Sequence, residues 1–260
     1  MPFQSIAGIR YYQFELLGSG LTQAVFTRRG GCSPDPWSTL NFGGTVGDDP
    51  LRVRENRNRA LMALKCDPES VYDVWQVHGV NVVVAESPRP PEAAPLQADT
   101  ILTNNPGITL LMRFADCVPI FLYDPVRKAI GIVHAGWLGT VRGTAQMAIE
   151  GMQARYGSNP ADILAGIGPS IGPDHYEIGP DVVAQVRQAF GQSAFCLLKN
   201  QAGSIHFDLW SANRLVLEKA GVRQIELAGI CTACYSEDWY SHRAEHGRTG
   251  RFGAIFALDC

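Results

Sequence analysis

Cys117 and His134 are the two residues of this sequence whose spacing points most directly to chemistry. They end two apolar runs that flank the turn-like segment Asp124-Pro125-Val126-Arg127. If that segment is a four-residue hairpin loop, Tyr123 faces Lys128, and counting outward places Cys117 opposite His134. The Cβ atoms of opposed residues lie about 4.5–5.5 Å apart. A thiolate and an imidazole at that separation can bind one metal ion or transfer one proton.

His78 is a third candidate, in the predicted turn Trp75-Gln76-Val77-His78-Gly79-Val80 between two strands. If its imidazole meets the pair above, the three side chains form a His2Cys set. Such a set leaves the fourth position of zinc open to water or substrate, as catalytic zinc sites require. Spacing alone does not prove that the three side chains converge. Two other interpretations of Cys117 therefore stay open: an inert buried cysteine, and a metal-free nucleophile with His134 as its base.

Weaker candidates lie elsewhere in the chain. The C-x-x-C segment Cys231-Thr232-Ala233-Cys234 would suit a redox pair or half a zinc site, but it has no second C-x-x-C and no thioredoxin-like helical context. Incidental burial is the favoured interpretation there. Arg28, and Arg57 on a predicted helix, would suit phosphate if they lie beside a pocket, because a guanidinium donates two parallel hydrogen bonds. The basic segment 241–251 lacks interleaved aromatic residues, so RNA binding is not expected.

The elements that must position these side chains are helices interleaved with short strands. Four helices are predicted: from Asp49-Pro50 to about Leu64, from near Thr140 through Tyr156, from Gly179-Pro180 to near Gly191, and from the cap Asp208 to Gly221. Strands are predicted at seven β-branched or aromatic runs: 71–77, 80–85, 109–112, 119–123, 130–134, 163–167 and 224–230. Hairpins at 77–80 and 124–127 favour a mixed sheet. We therefore expect one α/β domain over residues 1–260.

The composition of the 260-residue chain is that of a globular protein. Hydrophobic residues make up 46% and charged residues 18%, which excludes a disordered coil. The net charge of −3 gives no global attraction to nucleic acid or to an anionic membrane. There is no signal-peptide pattern or long apolar run, and the seven widely spaced cysteines do not resemble a secreted disulfide framework. We expect a soluble cytoplasmic protein without nucleic-acid or membrane partners, its oligomeric state left open.

Several short segments together carry a resemblance to a known family. They are Phe26-Thr27-Arg28-Arg29-Gly30-Gly31, Leu40-Asn41-Phe42-Gly43, Gln76-Val77-His78-Gly79, Ala115-Asp116-Cys117-Val118-Pro119, His134-Ala135-Gly136-Trp137 and Ser241-His242-Arg243. With them the chain resembles the laccase-domain, or multicopper polyphenol oxidoreductase, family, whose members are also called peptidoglycan editing factors. The resemblance implies a three-layer α/β fold with mixed sheets, related to toxin-type cysteine deamidases. It also implies a zinc ion bound by His78, Cys117 and His134.

The resemblance also implies an activity. Members similar to this chain act on purine nucleosides, by phosphorolysis of adenosine, inosine and methylthioadenosine and by deamination of adenosine. On that basis the small-molecule partners are a nucleoside and phosphate. Asp116 is the candidate proton carrier beside the ligands, and Arg28, Arg57 and Gln76 are the candidates for binding substrate or phosphate. Copper is less favoured than zinc, because six histidines are too few for the several copper centres of a laccase.

One departure and three rival functions stay open. Leu138 stands where the family usually has arginine, so phosphate affinity differs here if that arginine binds an anion. A first rival is a copper-dependent polyphenol oxidase. A second is an amidase in peptidoglycan precursor editing that uses Cys117 as nucleophile, for which an iodoacetamide-sensitive, chelator-resistant activity would speak. A third is a binding module whose zinc is structural, for which four protein ligands would speak.

Overall fold

The computed structural model describes residues 2–201 and 203–259, and within them the chain forms fourteen strands and six α-helices. The strands are β1 Phe3–Ile6, β2 Ile9–Tyr12, β3 Leu21–Phe26, β4 Val71–Asp73, β5 Val82–Val84, β6 Thr100–Thr103, β7 Thr109–Phe114, β8 Val118–Asp124, β9 Ala129–Ala135, β10 Leu164–Ile167, β11 Leu198–Gln201, β12 Ser204–Phe207, β13 Gln224–Leu227 and β14 Phe252–Leu258. The helices are α1 Pro50–Ala63, α2 Trp137–Arg142, α3 Thr144–Tyr156, α4 Pro180–Phe190, α5 Ala194–Leu197 and α6 Leu209–Lys219.

The strands form two six-stranded sheets and a two-stranded ribbon of β11 and β12. The first sheet has the order β1-β2-β3-β14-β7-β4, and the second has the order β13-β10-β8-β9-β6-β5. In the first sheet, one edge strand, β4, pairs in parallel with β7. In the second sheet both edge strands pair in parallel, β5 with β6 and β13 with β10. The other strand pairs of the two sheets are antiparallel. The predicted α/β class with mixed sheets is therefore confirmed. The predicted hairpin at 77–80 is wrong, because β4 and β5 belong to different sheets.

The two sheets pack face to face and are covered on their outer sides by helices. Between the sheets, the ring centroids of Phe121 on β8 and Phe256 on β14 are 4.9 Å apart within one buried cluster. Buried residues of α3 and α6 pack on the other face of the second sheet. Ala60 and Leu61 of α1 pack on the outer face of the first sheet. None of the helices among the described residues has the length and apolar run that a membrane span needs.

The predicted helices form, with one break. Asp49 caps α1 by accepting from the Leu51 N–H, and Asp208 caps α6 by accepting from the Ser211 N–H. The helix predicted from near Thr140 starts earlier and is split into α2 and α3 at Gly143, whose φ of +82° ends the first helix and begins the second. The early start means that α2 follows β9 after only one intervening residue, Gly136.

β8 and β9 form the predicted hairpin, but in a register shifted by two residues. Asp124 pairs with Ala129, and Pro119 rather than Cys117 is opposite His134. The cause is the Asp124 side chain, which accepts from the N–H groups of two loop residues, so that the loop covers residues 125–128. Because a shift of two preserves the face on which each side chain lies, Cys117 stays on the side of His134, just beyond the end of the ladder.

Candidate metal centre

The structure brings His78, Cys117 and His134 together. The atoms that each could offer to a metal all lie within 4.8 Å of one another. The Cys117 Sγ is 3.8 Å from the His78 Nε2, and the two imidazole ring centroids are 4.8 Å apart. Cys117 comes from the residue before β8, His134 from β9, and His78 from the connection between the two sheets. These separations fit one small divalent ion bound by one sulfur and two nitrogens.

Asp99, which the sequence analysis did not identify, organises this trio. It is fully buried, and its Oδ1 accepts from the His134 Nδ1 at 2.7 Å. It also accepts from the backbone N–H groups of Val77, His78 and Gly79, which fixes the loop that carries His78 in a left-handed conformation, with φ of 58° at His78. A carboxylate on the distal nitrogen of a ligating histidine is the usual outer support of a zinc site, since it fixes the ring and its tautomer.

The electrostatics of the trio favour a thiolate. Loss of solvation disfavours the charged sulfur of Cys117, but attraction to His134 and hydrogen bonds from both histidines outweigh it and lower the pKa of this thiol to about 6. Loss of solvation likewise disfavours the charged form of His134, but Cys117 and Asp99 raise the pKa of the imidazole to about 9. Cys117 is therefore in the form that binds metals and acts as a nucleophile at neutral pH.

Gly136 packs directly against Cys117 and His78. A Cβ at this position would lie 2.9 Å from the Cys117 Sγ and 2.9 Å from the His78 Cδ2. Real Cβ atoms do not approach other atoms so closely, so a larger residue has to displace two of the three candidate ligands. The glycine is needed here for close approach, because its φ, unlike that of Gly143, lies outside the left-handed region.

We expect Gly136→Ala to lower the affinity for zinc by about 10–100-fold, the range typical of lost ligand support. The matched control is Gly179→Ala, since a Cβ there meets no atom within 4 Å. Zinc competition against a chromogenic chelator measures the affinities, and thermal melts establish that both variants fold. Equal zinc affinities for the wild type and Gly136→Ala would contradict the geometry described here.

A cavity of about 530 Å³ opens over the trio. This volume is within the range of small-molecule sites. Aromatic and cationic side chains contribute to its wall: Trp75, Trp137, Tyr176, Arg113, Arg243 and Arg251. Arg113 lies 3.7 Å from Asp73, whereas within the described residues neither Arg243 nor Arg251 forms an ion pair with a carboxylate. Two cations without a carboxylate partner in a cavity wall are suited to bind an anion.

Arg243 and Arg251 are held in place by backbone carbonyls. Arg243 donates from Nη1 to the Glu177 carbonyl at 2.8 Å, and its guanidinium lies 5.1 Å from the Tyr176 ring centroid. Arg251 donates from Nη1 to the Gly250 carbonyl at 2.8 Å, and burial lowers the pKa of its guanidinium. Arg243 belongs to a segment that carries the family resemblance, but no sequence signal distinguished Arg113 or Arg251.

Asp116 and Gln76 line the cavity as well. Asp116 has a left-handed φ of 77°, and its carboxylate accepts from the Thr232 hydroxyl at 2.7 Å and from the Arg243 N–H at 2.6 Å. Gln76 donates from Nε2 to the Arg113 carbonyl, and its Oε1 accepts from both the backbone N–H and the Nε of Arg113. Both side chains are therefore in fixed positions next to the trio.

Arg28 and Arg57 lie away from this cavity. Arg28 donates to Glu245 at 3.0 Å and to two backbone carbonyls, and it stacks on the Tyr240 ring. Arg57 donates to the Phe42 carbonyl at 2.7 Å and lines a separate cavity of about 560 Å³. The position of these two arginines gives no support to the phosphate role that the sequence suggested for them.

Leu138 does not line the cavity either, although its neighbour Trp137 does. The leucine is half-buried in the first turn of α2. At position 138, where the family usually has arginine, this chain therefore contributes no side chain to the described wall of the cavity.

Comparisons with known proteins identify relatives of this chain along nearly its whole length. A family model described as multi-copper polyphenol oxidoreductase laccase matches residues 22–259. A purine nucleoside phosphorylase of Deinococcus radiodurans is 40% identical over 235 residues, which cover 90% of this chain and 88% of that protein. The purine nucleoside phosphorylase YlmD of Bacillus subtilis is 34% identical over 240 residues, covering 89% of this chain and 86% of YlmD.

Solved structures share the whole architecture. The crystal structure of YlmD from Geobacillus stearothermophilus matches with a TM-score of 0.92 at 32% identity, covering 100% of this chain and 99% of that one. The crystal structure of the Bacillus licheniformis hypothetical protein YfiH matches with a TM-score of 0.91 at 33% identity and covers 99% of both chains. The chain therefore belongs to the multi-copper polyphenol oxidoreductase laccase family.

Proposed function

We propose that this protein is a purine nucleoside phosphorylase that binds zinc through His78, Cys117 and His134 and that also deaminates adenosine. The observation that carries the proposal is the convergence of this trio, with its candidate ligand atoms within 4.8 Å of one another, on a cavity lined by Arg243 and Arg251. Among the residues that the structure describes, neither arginine forms an ion pair with a carboxylate. Relatives that are 40% and 34% identical to this chain bear the name purine nucleoside phosphorylase.

In phosphorolysis, Arg243 and Arg251 bind phosphate and present one of its oxygens to the anomeric carbon of the ribose. The oxygen forms a bond to that carbon while the bond from the carbon to the purine nitrogen breaks. The electron pair of the broken bond goes to the purine, which takes up a proton as it leaves. The products are the free base and ribose 1-phosphate. The two guanidinium groups stabilise the negative charge of phosphate, both while it is bound beside the nucleoside and during bond formation.

Asp116 is the group that we propose for moving the proton. Its two hydrogen bonds, from Thr232 and from the Arg243 backbone, hold it next to Cys117. An ionised carboxylate has about four acceptor sites, so these bonds leave room for a proton or a substrate contact. Trp75, Trp137 and Tyr176 are apolar surfaces in the same wall and are suited to pack against a purine ring.

The trio fits a metal because it offers one thiolate sulfur and two imidazole nitrogens as donors. Asp99 fixes the His134 ring, and Gly136 leaves room for Cys117 and His78 to lie close together. A zinc ion bound by these three side chains would supply a Lewis acid to the cavity. With three protein donors the set is typical of catalytic rather than structural zinc. The His2Cys set also accepts copper. Metal analysis of the purified protein therefore accompanies every activity measurement below.

The test is to incubate metal-quantified protein with adenosine and with inosine, each with and without phosphate, and to separate the products by chromatography. We expect hypoxanthine from inosine only when phosphate is present, and inosine from adenosine without phosphate. If neither nucleoside is consumed by the zinc-loaded protein, the proposal is wrong. An activity that resists chelation but is lost to iodoacetamide would instead assign Cys117 the role of nucleophile.

Arg251→Gln is expected to raise the KM for phosphate by about 10–100-fold, because a hydrogen bond to a charged group contributes about 1.5–3 kcal/mol. Arg243→Gln is expected to act in the same direction. Deamination of adenosine, which uses no phosphate, changes much less in both variants. The control is Arg187→Gln, an exposed change on α4. An unchanged phosphate KM in both cavity variants would rule out these arginines as the phosphate site.

A further inference from the structure

A second cluster of candidate metal ligands lies outside the trio. It consists of Asp174 and His175, on the segment that follows β10, and of Cys231 and Cys234, on the segment that follows β13. The atoms that these four residues could offer to a metal all lie within 4.8 Å of one another. Cys231 is buried, and the other three are exposed. The C-x-x-C segment of the sequence is therefore not isolated, because its partners come from another loop.

The separations within the second cluster resemble the edges of a tetrahedron. The His175 Nδ1 is 3.8 Å from the Cys231 Sγ and 3.5 Å from the Cys234 Sγ. The Asp174 Oδ2 is 3.0 Å from the Cys234 Sγ and 3.0 Å from the His175 Nδ1. Ligands at zinc bonding lengths of about 2.0–2.3 Å in tetrahedral geometry are about 3.3–3.8 Å apart. These four separations differ from the tetrahedral values by about half an ångström or less, and the two remaining ones lie within 4.8 Å.

The backbone holds the two segments together around these side chains. The Gly172 N–H donates to the Cys231 Sγ at 3.2 Å. A Cβ on Gly172 would lie 2.5 Å from the Asp174 Oδ1 and 3.1 Å from the Cys231 Cβ, so the loop approaches this closely only with glycine. Ser170 and Cys231 also form a parallel bridge. The two segments are also joined by backbone hydrogen bonds that involve none of the four side chains, from the Ser170 N–H to the Ile230 carbonyl and from the Thr232 N–H to the Ser170 carbonyl.

We propose that Asp174, His175, Cys231 and Cys234 form a second metal site, which binds zinc with four protein ligands and no open position. Sites in which four protein ligands fill the coordination sphere are typical of structural zinc. Two sulfur donors and one imidazole favour zinc over magnesium or calcium, which prefer oxygen ligands. On binding, each cysteine that is still a thiol loses its proton to solvent, and the metal accepts an electron pair from each of the four donors.

The second metal site adjoins the wall of the cavity over His78, Cys117 and His134. Tyr176 follows His175 directly and lines the cavity, and Thr232 follows Cys231 directly and donates to Asp116. Arg243 donates to the carbonyls of His175 and Glu177. Zinc at the second cluster therefore fixes the segments that position Tyr176, Asp116 and Arg243.

The first experiment is a zinc count on protein reconstituted with zinc under reducing conditions and freed of excess metal. We expect about two equivalents for the wild type and about one for Cys234→Ser or Cys117→Ser, since each substitution removes one site. Their combination is expected to bind none. Cys196→Ser, an exposed change outside both clusters, should keep about two equivalents. An equal zinc count in the wild type and Cys234→Ser overturns the proposal, as does an intact mass that shows a Cys231–Cys234 disulfide in reduced, zinc-loaded protein.

A second measurement does not depend on how Cys234→Ser folds. Of the cysteines that remain in Cys117→Ser protein, Cys231 and Cys234 are the two that lie in a cluster of candidate ligands within the described residues, so a thiolate-to-cobalt charge-transfer band with the intensity of two thiolates per Co²⁺ reports that site. We expect this band, together with the visible bands of tetrahedral Co²⁺, and we expect zinc to displace both. Absence of the charge-transfer band overturns the proposal. The nucleoside assay tests the proposed function and not the second site. If the protein turns over no nucleoside, the zinc that depends on Cys234 and the cobalt band are still expected.

Discussion

Cys117→Ala is expected to remove zinc from the trio and to abolish nucleoside turnover at the same time. The substitution deletes the one sulfur donor and leaves two imidazoles, too few to hold a tetrahedral ion with useful affinity. A bound metal contributes several kcal/mol to transition-state stabilisation, and each 1.4 kcal/mol changes a rate about tenfold, so we expect a loss of about 10³-fold or more in kcat/KM. Zinc content and product formation are measured on the same preparation.

Cys196→Ala is the matched control for this prediction, because Cys196 is exposed and lies in α5. Its zinc content and turnover should equal those of the wild type. Full consumption of adenosine by Cys117→Ala protein would refute the role of the trio. Loss of turnover with the same zinc content as the wild type would also count against it, because the thiol would then act as a nucleophile and not as a ligand.

Asp99→Asn is the second substitution with a large expected effect. It replaces the buried carboxylate that accepts from the His134 Nδ1 and from three backbone N–H groups of the His78 loop. An amide offers one acceptor oxygen where the carboxylate offers two, so some of these donors lose their partner. We expect zinc affinity at the trio and kcat/KM each to fall by about 10–100-fold, as is typical for outer support of a metal ligand.

The readout that separates positioning from general destabilisation is the zinc affinity of folded protein, measured well below its melting temperature. Asp162→Asn, an exposed change of the same type, is the control and should leave zinc affinity unaltered. If Asp99→Asn melts at a lower temperature but binds zinc as tightly as the wild type, then Asp99 has only a structural role.

The meeting of the three candidate ligands could be predicted in part because two of them belong to one local hairpin. Counting outward from the turn placed Cys117 on the side of His134, and the side-chain alternation of strands made that result insensitive to the two-residue error in register. His78 was different. Its position depends on Asp99, which precedes β6, and nothing in the local pattern connects these two segments. The turn and the resemblance indicated His78, but the carboxylate that holds its loop could not be found that way.

Long-range pairing accounts for most of what the sequence did not show. Val71–Asp73 and Val82–Val84 are close in the chain and apolar, which suggests a hairpin, yet each pairs in parallel with a strand that lies later in the sequence. β-Propensity describes how a residue suits a pleated surface and does not identify the partner strand. The same limit applies to Arg251, whose place in the cavity wall follows from the insertion of β14 between β3 and β7.

The two sheets contribute different parts of the cavity. Arg113 belongs to β7 and Arg251 directly precedes β14 in the first sheet, whereas Cys117 and His134 are carried by β8 and β9 in the second. The distance between the sheets is set by core contacts such as Phe121 against Phe256. It therefore sets the length of a ligand that contacts both the arginines of the first sheet and the cysteine and histidine of the second. Close-packed interiors transmit small changes in volume. Substitutions in the core between the sheets can therefore shift which nucleosides fit, so selection for a new substrate need not touch the cavity wall.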